Sequence, residues 1–472
     1  MHAGKLSKKT IHPNSEFTTS FNLFNLEPEL TSFDMLFWGE NMHHENIPVP
    51  HLTTAHCGPL HHVEKILLNQ VVTIESWFRQ KWQETPPPIT SSVDLRHAGF
   101  KLAPVDTNLF PAGFNNLNHD FLPLCIQAAQ SVMVDYLPKC KNILLIPESH
   151  TRNKYYLRSL AVLRDIFMKA GFVVRIGSLN PEVQTATEVI TDEGQTLLME
   201  PLQRNNDKVG LHDFEPCMIL LNNDLSSGIP AILQNLQQPI RPAPNLGWAL
   251  RLKSSHFQFF DEVACEFAKL VDMDSWLINP HFNAVDGVDF MAQEGVDYLA
   301  FQVDQLLERI RDKYATYGIS DKPFVVVKAD NGTYGMSVMM VHEGEELRQL
   351  NRKQRTRMAA SKGGRKVERV MIQEGVYTYE TMPDGAVAEP VVYMIGQFVV
   401  GGFYRVHQGR GADENLNAPG MHFEPLAFAQ ACNMPRNDLA AIECPNRFYA
   451  YGVIARLAAL AAAKEIAAIG GE

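Results

Sequence analysis

PFVVVKADNGTYGMSVMMV, residues 323–341, decides how the rest of the chain is read. A β-branched run ends on Lys328, ADNGTYG follows, and a second apolar run closes the segment. That order predicts two strands joined by a flexible loop. Glycines 332 and 335 let the backbone approach a ligand closely, so the N–H groups of Asn331, Gly332, Thr333 and Gly335 can cover phosphate oxygens while Lys328 supplies a point charge. A Walker-type loop would open a helix; this one reads as a hairpin lid.

Downstream, residues 348–369 hold nine basic side chains (Arg348, Arg352, Lys353, Arg355, Arg357, Lys362, Arg365, Lys366, Arg369) against one acid, Glu368. They predict a solvated helix with a mobile SKGG tip; attraction of a triphosphate or an acidic partner is the sharper reading. VMIQEGVYT (370–378) predicts a short strand whose edge can meet a purine, with Glu374 beside Gln373 placed for an exocyclic amino group. AEPVVYMIGQFVVGGFYRV (388–406) predicts two strands around Gly396, with Glu389 at one end and Arg405 at the other. DENLNAPG (413–420) then gathers Asp413, Glu414, Asn415 and Asn417. Magnesium takes hard oxygen ligands, so this cluster suits a metal-bound nucleotide, and Arg405 can meet charge on a transferring phosphoryl group.

Upstream, a helix over 63–83 should stop at Pro86, Pro87 and Pro88. DLRHAGFKLAPVDTNLFPAGFNNL (94–117) shows neither period and predicts an irregular stretch. It carries Arg96, Lys101, Asp106, Asn108 and Asn115, and reads equally as a binding loop or an ordered structural loop. From 141 the order is strand (KNILLIPE), helix (152–170), strand (FVVRIGSL), strand (CMILLNND) and helix (IPAILQNL), which predicts a parallel α/β sheet. Ligands of such sheets sit beyond strand carboxyl ends. Glu148, Thr151, Arg152, Asn153 and the NNDLSSG segment with Asn222, Asn223, Asp224 and Ser226 are therefore substrate contacts or, equally, caps and turns. A long helix over 293–314 is scaffold, and 449–463 predicts a buried amphipathic helix ended by Gly470 and Gly471.

The 472 residues, 45% hydrophobic and 20% charged, call for two or three domains. A net charge of −11 argues against nucleic acid as a partner. No leader peptide and no apolar run of about 18 residues occurs, so neither export nor membrane insertion is expected. Seven cysteines without a CxxC pair predict reduced thiols in a cytoplasmic protein. Cys432 and Cys444 lack the neighbours of a nucleophile and read as packed thiols. His43, His44, His51, His56, His61 and His62 read as part of a polar surface extension, with metal binding the weaker alternative.

Taken in order, the downstream segments resemble the ATP-grasp superfamily. The resemblance covers about residues 320–425 and places Lys328, Gln373, Glu374, Val376, Glu389, Arg405 and Asn417 on its motif. It implies an α/β ATP-grasp fold with a small lid subdomain, preceded by a Rossmann-like α/β domain. The expected division is an extension (1–62), a substrate region (63–255), a helical connector (256–320), the lid (321–380) and the catalytic subdomain (381–472). Asn415 stands where the superfamily usually has Glu, with Glu414 adjacent, so both are carried as metal candidates. Val391 replaces a frequent arginine. DLRHAGFKLAPVDTNLFPAGFNNL, ILLIPESHTRNKYY and VVVKADNGTYGMSVMMV further resemble the proteobacterial ATP-grasp glutamate–cysteine ligase family. That implies ATP and Mg²⁺ as cofactors and formation of γ-glutamylcysteine, the first step of glutathione synthesis.

On this expectation Lys328 and Arg405 are catalytic, and Glu389, Glu414, Asn415 and Asn417 surround the metal. Arg96, Lys101, Asp106, Asn108, Asn115, Glu148, Arg152 and Asn153 are the candidates for amino-acid substrates. The partners are small molecules, and a homo-oligomer is left open. The competing readings are another ATP-grasp carboxylate–amine ligase, a phosphotransferase, and a non-catalytic ATP-binding regulator.

Overall fold

Helices α1 (His62–Asn69) and α2 (Val71–Glu84) replace the single helix expected over 63–83. Gln70 leaves helical geometry (φ −117°, ψ 22°), and Thr85 turns extended ahead of the three prolines. The coordinates are a computed structural model that describes residues 49–50, 54–55, 59–149, 153–332, 337–359, 366–426, 431–432 and 447–469. Most of the histidine-rich extension, the SKGG tip, Thr151, Arg152, Thr333, Gly335, Cys57, Cys444, Gly470 and Gly471 lie outside the described residues.

The stretch expected to be irregular is instead an antiparallel hairpin. Strand β1 (Thr90–His97) pairs with β2 (Leu102–Asn108), from Ser92 opposite Asn108 to His97 opposite Leu102. Seven of the eight β1 residues are buried, so no alternation marks the strand in sequence.

Helix α3 (Leu122–Tyr136) leads to β3 (Asn142–Pro147), α4 (Lys154–Lys169) and β4 (Val173–Ser178). Strands β5 (Thr187–Ile190), β6 (Thr196–Pro201), β7 (Met218–Asn222) and β8 (Ile240–Arg241) complete a six-stranded sheet in the order β8-β7-β3-β4-β6-β5. Only β5 runs antiparallel, in line with the expected parallel α/β sheet. IPAILQNL is not a helix: one 3-10 turn, Ala231–Leu233, is cut short by Asn235 at φ +54°. Cys140 and Cys217, just ahead of the adjacent strands β3 and β7, form a disulfide (S–S 2.22 Å), against the expectation of free thiols throughout.

After α5 (Lys253–Leu270), strand β9 (Phe282–Asp286) and helix α6 (Val296–Tyr317) come β10 (Val325–Ala329), β11 (Val338–Val341), α7 (Arg352–Ala359) and β12 (Arg369–Glu374). The strands make an antiparallel sheet, β9-β12-β10-β11. Helix α6 ends on Gly318 in the left-handed region (φ +65°), where a side chain would be strained, and buries Leu299, Val303, Leu306, Leu307 and Ile310. Burying each such side chain is worth about 1.5–3 kcal/mol.

Strands β13 (Val387–Ile395), β14 (Phe398–His407) and β15 (His422–Pro425) join the early hairpin in a second antiparallel sheet, β15-β14-β13-β1-β2. Val391 sits opposite Asp94, so residues almost 300 positions apart share a register. Helix α8 (Phe448–Ala468) packs on α5, β1, β2 and β13; it is buried on nearly every side over most of its length, so it is not amphipathic. Arg251 clamps Glu465 of α8 with two hydrogen bonds, 2.8 and 2.9 Å. Among the described residues no helix is long and apolar enough to cross a membrane.

Candidate active site

Strand β10 delivers Lys328 to the gap between the two antiparallel sheets. Its ammonium is buried and donates to Val105 O and to Gln373 Oε1, both at 2.8 Å. Burial pushes its pKa down to about 8, and the nearby Asp106 carboxylate limits the fall. Gln373 comes from β12, two residues from the position opposite Lys328, and its Nε2 is buried without a partner among the described residues.

The lysine looks into a cleft of about 820 Å³. Gly332, Gln373, Glu374 and Val376 line it on the side of Lys328. Glu389, Arg405, Asn415 and Asn417 line the same cleft from the second sheet and its following turn. Lys328 and Gly332 on one side and Glu389, Asn415 and Asn417 on the other therefore face one cavity. Gly332 adopts φ +128°, a conformation open to glycine.

Glu389 and Arg405 are direct cross-strand neighbours on β13 and β14. Arg405 Nη1 donates to Glu389 Oε1 and to Asp94 Oδ2, the latter at 3.0 Å. Arg96 Nε donates to Glu389 Oε2 at 2.9 Å. Burial would raise the Glu389 pKa, but Arg96 and Arg405 outweigh it and hold the carboxylate below its usual range. For Asp94 burial wins: repulsion from Glu389 and Asp106 adds to it, Arg405 offsets only part, and the pKa rises.

A second chamber of about 990 Å³ adjoins the first. Asn108, Glu148, Asn222 and Asp224 line it with an aromatic wall that includes Trp248, Tyr393 and Phe403. Asp94, Asp106, Arg405 and Asn417 line both chambers and so form their common boundary. Asp106 is anchored there by Lys253 Nζ at 2.7 and 2.9 Å; burial opposes ionisation, but Lys253 and Lys328 hold its pKa at about 2.

Several expected contacts have other employment. Glu374 lines the cleft, but its carboxylate accepts from Lys101 Nζ at 2.8 Å, Trp276 Nε1 at 3.0 and 3.2 Å, and His281 N at 2.8 Å. That network replaces the expected contact of its side chain with a purine. Lys101 borders neither chamber and stacks its ammonium 4.3 Å from the Trp276 ring centroid. Arg96 borders the cleft as a clamp, since its other donors go to the carbonyls of Val376, Ala412 and Glu414. Asn153 caps α4 by accepting from Tyr156 N, and Asn115 lines neither chamber. Of the metal candidates, Glu414 points to Arg410 and Gly411 N and is absent from the cleft wall, whereas Asn415 is on it.

Four further lining residues, Asp94, Lys253, Trp248 and Tyr393, carry no mark of their role in the sequence. Nothing local distinguishes the Asp94 carboxylate; pairing with β13 does.

Among the described residues no group of three His, Cys, Asp or Glu side chains could hold a metal. One carboxylate, Glu389, with the amides of Asn415 and Asn417 still fits Mg²⁺, which draws most of its octahedral shell from phosphate and water.

The profile of the family described as glutamate-cysteine ligase matches residues 64–466. A crystal structure from Methylobacillus flagellatus KT, provisionally named a gamma-glutamylcysteine synthetase, is 56% identical, with a TM-score of 0.80 over 90% of this chain and 100% of that one. A glutathione synthetase-like effector from Globodera pallida is 9% identical (TM-score 0.35, covering 77% of this chain and 83% of that one). A D-alanyl-alanine synthetase A from Vibrio cholerae is 10% identical (TM-score 0.27, covering 54% and 68%). The comparison with curated proteins returned no match.

Proposed function

The chain belongs to the glutamate-cysteine ligase family, and from that premise we infer how its ATP-grasp clasp divides the work of the reaction. The protein is an ATP-dependent ligase that joins glutamate to cysteine. The observation that carries the assignment of parts is the convergence of Lys328 and the Glu389, Asn415 and Asn417 group on one cleft that opens into a second chamber.

We assign the first cleft to ATP and the second to the amino acids. Gly332 and Lys328 meet the phosphates, and the backbone at the end of β12, at Gln373 and Glu374, and of Val376 just beyond it meets the purine. Glu389, Asn415 and Asn417 are the groups that would hold Mg²⁺, which neutralises phosphate charge when bound. Arg405, at the boundary, faces the transferring phosphoryl group from the second sheet. Asn108, Glu148, Asn222 and Asp224 are the polar side chains of this chamber that we assign to the backbone ends of the substrates.

The reaction that fits two adjoining chambers runs in two displacements. An oxygen of the glutamate γ-carboxylate attacks the γ-phosphorus and ADP leaves, giving glutamyl phosphate. The amine of cysteine then attacks the acyl carbon, the C–O bond breaks, and phosphate leaves. Positioning and fixed charge suffice for both steps, so no nucleophilic side chain is needed. On this reading its product supplies glutathione synthesis, and we assign the protein to the cytoplasm, where ATP is at hand.

The test is direct. Purified protein with Mg·ATP and pairs of amino acids is followed by ADP release and product mass. Glutamate plus cysteine should give equimolar ADP and γ-glutamylcysteine; a phosphorylated product without an amide would make it a phosphotransferase.

A further inference from the structure

Asp94 and Asp106 are direct cross-strand partners in the β1–β2 hairpin, an arrangement that ordinarily costs stability because like charges lie opposite each other. Each has one fixed counter-charge: Arg405 Nη1 on Asp94 Oδ2 at 3.0 Å, and Lys253 Nζ on both oxygens of Asp106. The two aspartates differ in what remains. Asp106 is held through both oxygens, whereas Asp94 Oδ1 makes no hydrogen bond with any described residue. Arg405 is incomplete in the opposite sense, since its Nε is buried without a partner among the described residues. A buried donor on a charged group that stays unpaired is costly and points to a ligand.

Both groups stand on the boundary shared by the two chambers. A buried, unpartnered cationic donor and, beside it, a carboxylate oxygen that no described residue holds match the two ends of an amide-forming encounter: the acyl phosphate oxygens and the attacking amine. We propose that Asp94 is the seat of the acceptor amino group, the residue that orients the amine of the second amino acid toward the acyl carbon. This rests on the ligase reading above and adds to it the residue that selects an amine.

Chain length argues for the acceptor over the donor. The attacking nitrogen must lie about 3–3.5 Å from the acyl carbon, hence at the boundary where phosphoryl transfer occurs. Glutamate's own amino group is separated from its γ-carboxyl by three carbons and belongs deeper in the second chamber. Asp106, held by Lys253 through both oxygens, does not compete for the amine.

The experiment compares two half-reactions in Asp94→Asn. With ATP, glutamate and hydroxylamine, the trapped hydroxamate reports acyl phosphate formation without the acceptor amino acid. With cysteine, or with 2-aminobutyrate, which has the same amine and no thiol, amide formation reports the whole reaction. Because Asp94 also holds Arg405, hydroxamate formation falls too, and the expected result is a loss of kcat/KM for both acceptors, together, that is roughly 10- to 100-fold greater than the loss of hydroxamate formation, as for loss of a charge-assisted hydrogen bond. Asp94→Ser, read the same way, serves if the asparagine variant does not fold, with ATP-induced thermal stabilisation as the check on folding. Equal loss of both half-reactions, no loss in either, or a rise confined to the KM for glutamate would each overturn the assignment. A wild-type protein inactive with glutamate and cysteine would instead count against the ligase reading.

Discussion

Lys328 Nζ donates to Gln373 Oε1 at 2.8 Å, so the lysine of the glycine hairpin is held by the strand assigned to the purine before any nucleotide arrives. The same ammonium bonds Val105 O of the early hairpin at 2.8 Å. A single cation thus ties the four-stranded sheet to β2, and its charge state bears on both.

Burial sets the Lys328 pKa at about 8 rather than 10.5, so the charged form that phosphate needs prevails below that pH and is lost above it. In pH-rate profiles, kcat/KM for ATP should hold level below about 8 and decline toward roughly a tenth for each further pH unit. Lys328→Arg, charged throughout, should lack this alkaline limb at whatever rate it retains; a limb unchanged in that variant would assign it to another group.

Glu389→Gln should lower ATP turnover by at least about 10³-fold and also weaken the fold. Removing the charge leaves Arg96 and Arg405 facing each other across an uncharged amide, and breaking a buried pair costs roughly 3–5 kcal/mol. ADP release and the denaturant midpoint check the two effects separately. Full turnover in the variant would remove Glu389 from the metal assignment.

Much of the site was legible in sequence because its chemistry is local in order. Lys328, Gly332, Gln373, Glu389, Arg405 and Asn417 fall on a motif whose segments are each one strand or one turn, and all of them line the cleft. What escaped depends on tertiary pairing. The β1–β2 hairpin is buried on both faces, so its strands show no alternation, and its partner β13 lies almost 300 residues away. Asp94 therefore looked like any loop acid. Lys101 and Glu374 each looked like ligand contacts, and only their shared burial beside Trp276 shows that they satisfy each other. The Cys140–Cys217 bond spans 77 residues and follows from the adjacency of two strand starts, which spacing does not encode.

Lys101→Met tests that shared role. It would strand the Glu374 carboxylate with only Trp276 Nε1 and His281 N as donors, at a cost of about 3–5 kcal/mol in denaturant unfolding. Adding Glu374→Gln should restore a substantial part of the loss, because both charges are then gone. Additive losses in the double variant would mean that the pair is not coupled.

The Arg251–Glu465 clamp between the start of α5 and the end of α8 should govern acid stability. Burial favours protonation of Glu465, but Arg251 and His256 hold its pKa at about 2, below the 4.5 of an ordinary glutamate. The stability this lends is present above about pH 4.5 and disappears as pH falls toward 2. Glu465→Gln should thus be destabilised by on the order of 3 kcal/mol at pH 7, with the gap to wild type closing at low pH. Unfolding curves at several pH values decide it, and a gap that is constant with pH would contradict the clamp.

The most direct test of the account is a crystal structure with Mg²⁺ and a non-hydrolysable ATP analogue. The triphosphate should lie between Lys328 and Gly332 on one side and Glu389, Asn415 and Asn417 on the other, with its γ-phosphate against Arg405 at the mouth of the second chamber. A nucleotide bound to only one of these groups, with the other facing empty solvent, would contradict the claim that both sheets close on one ATP.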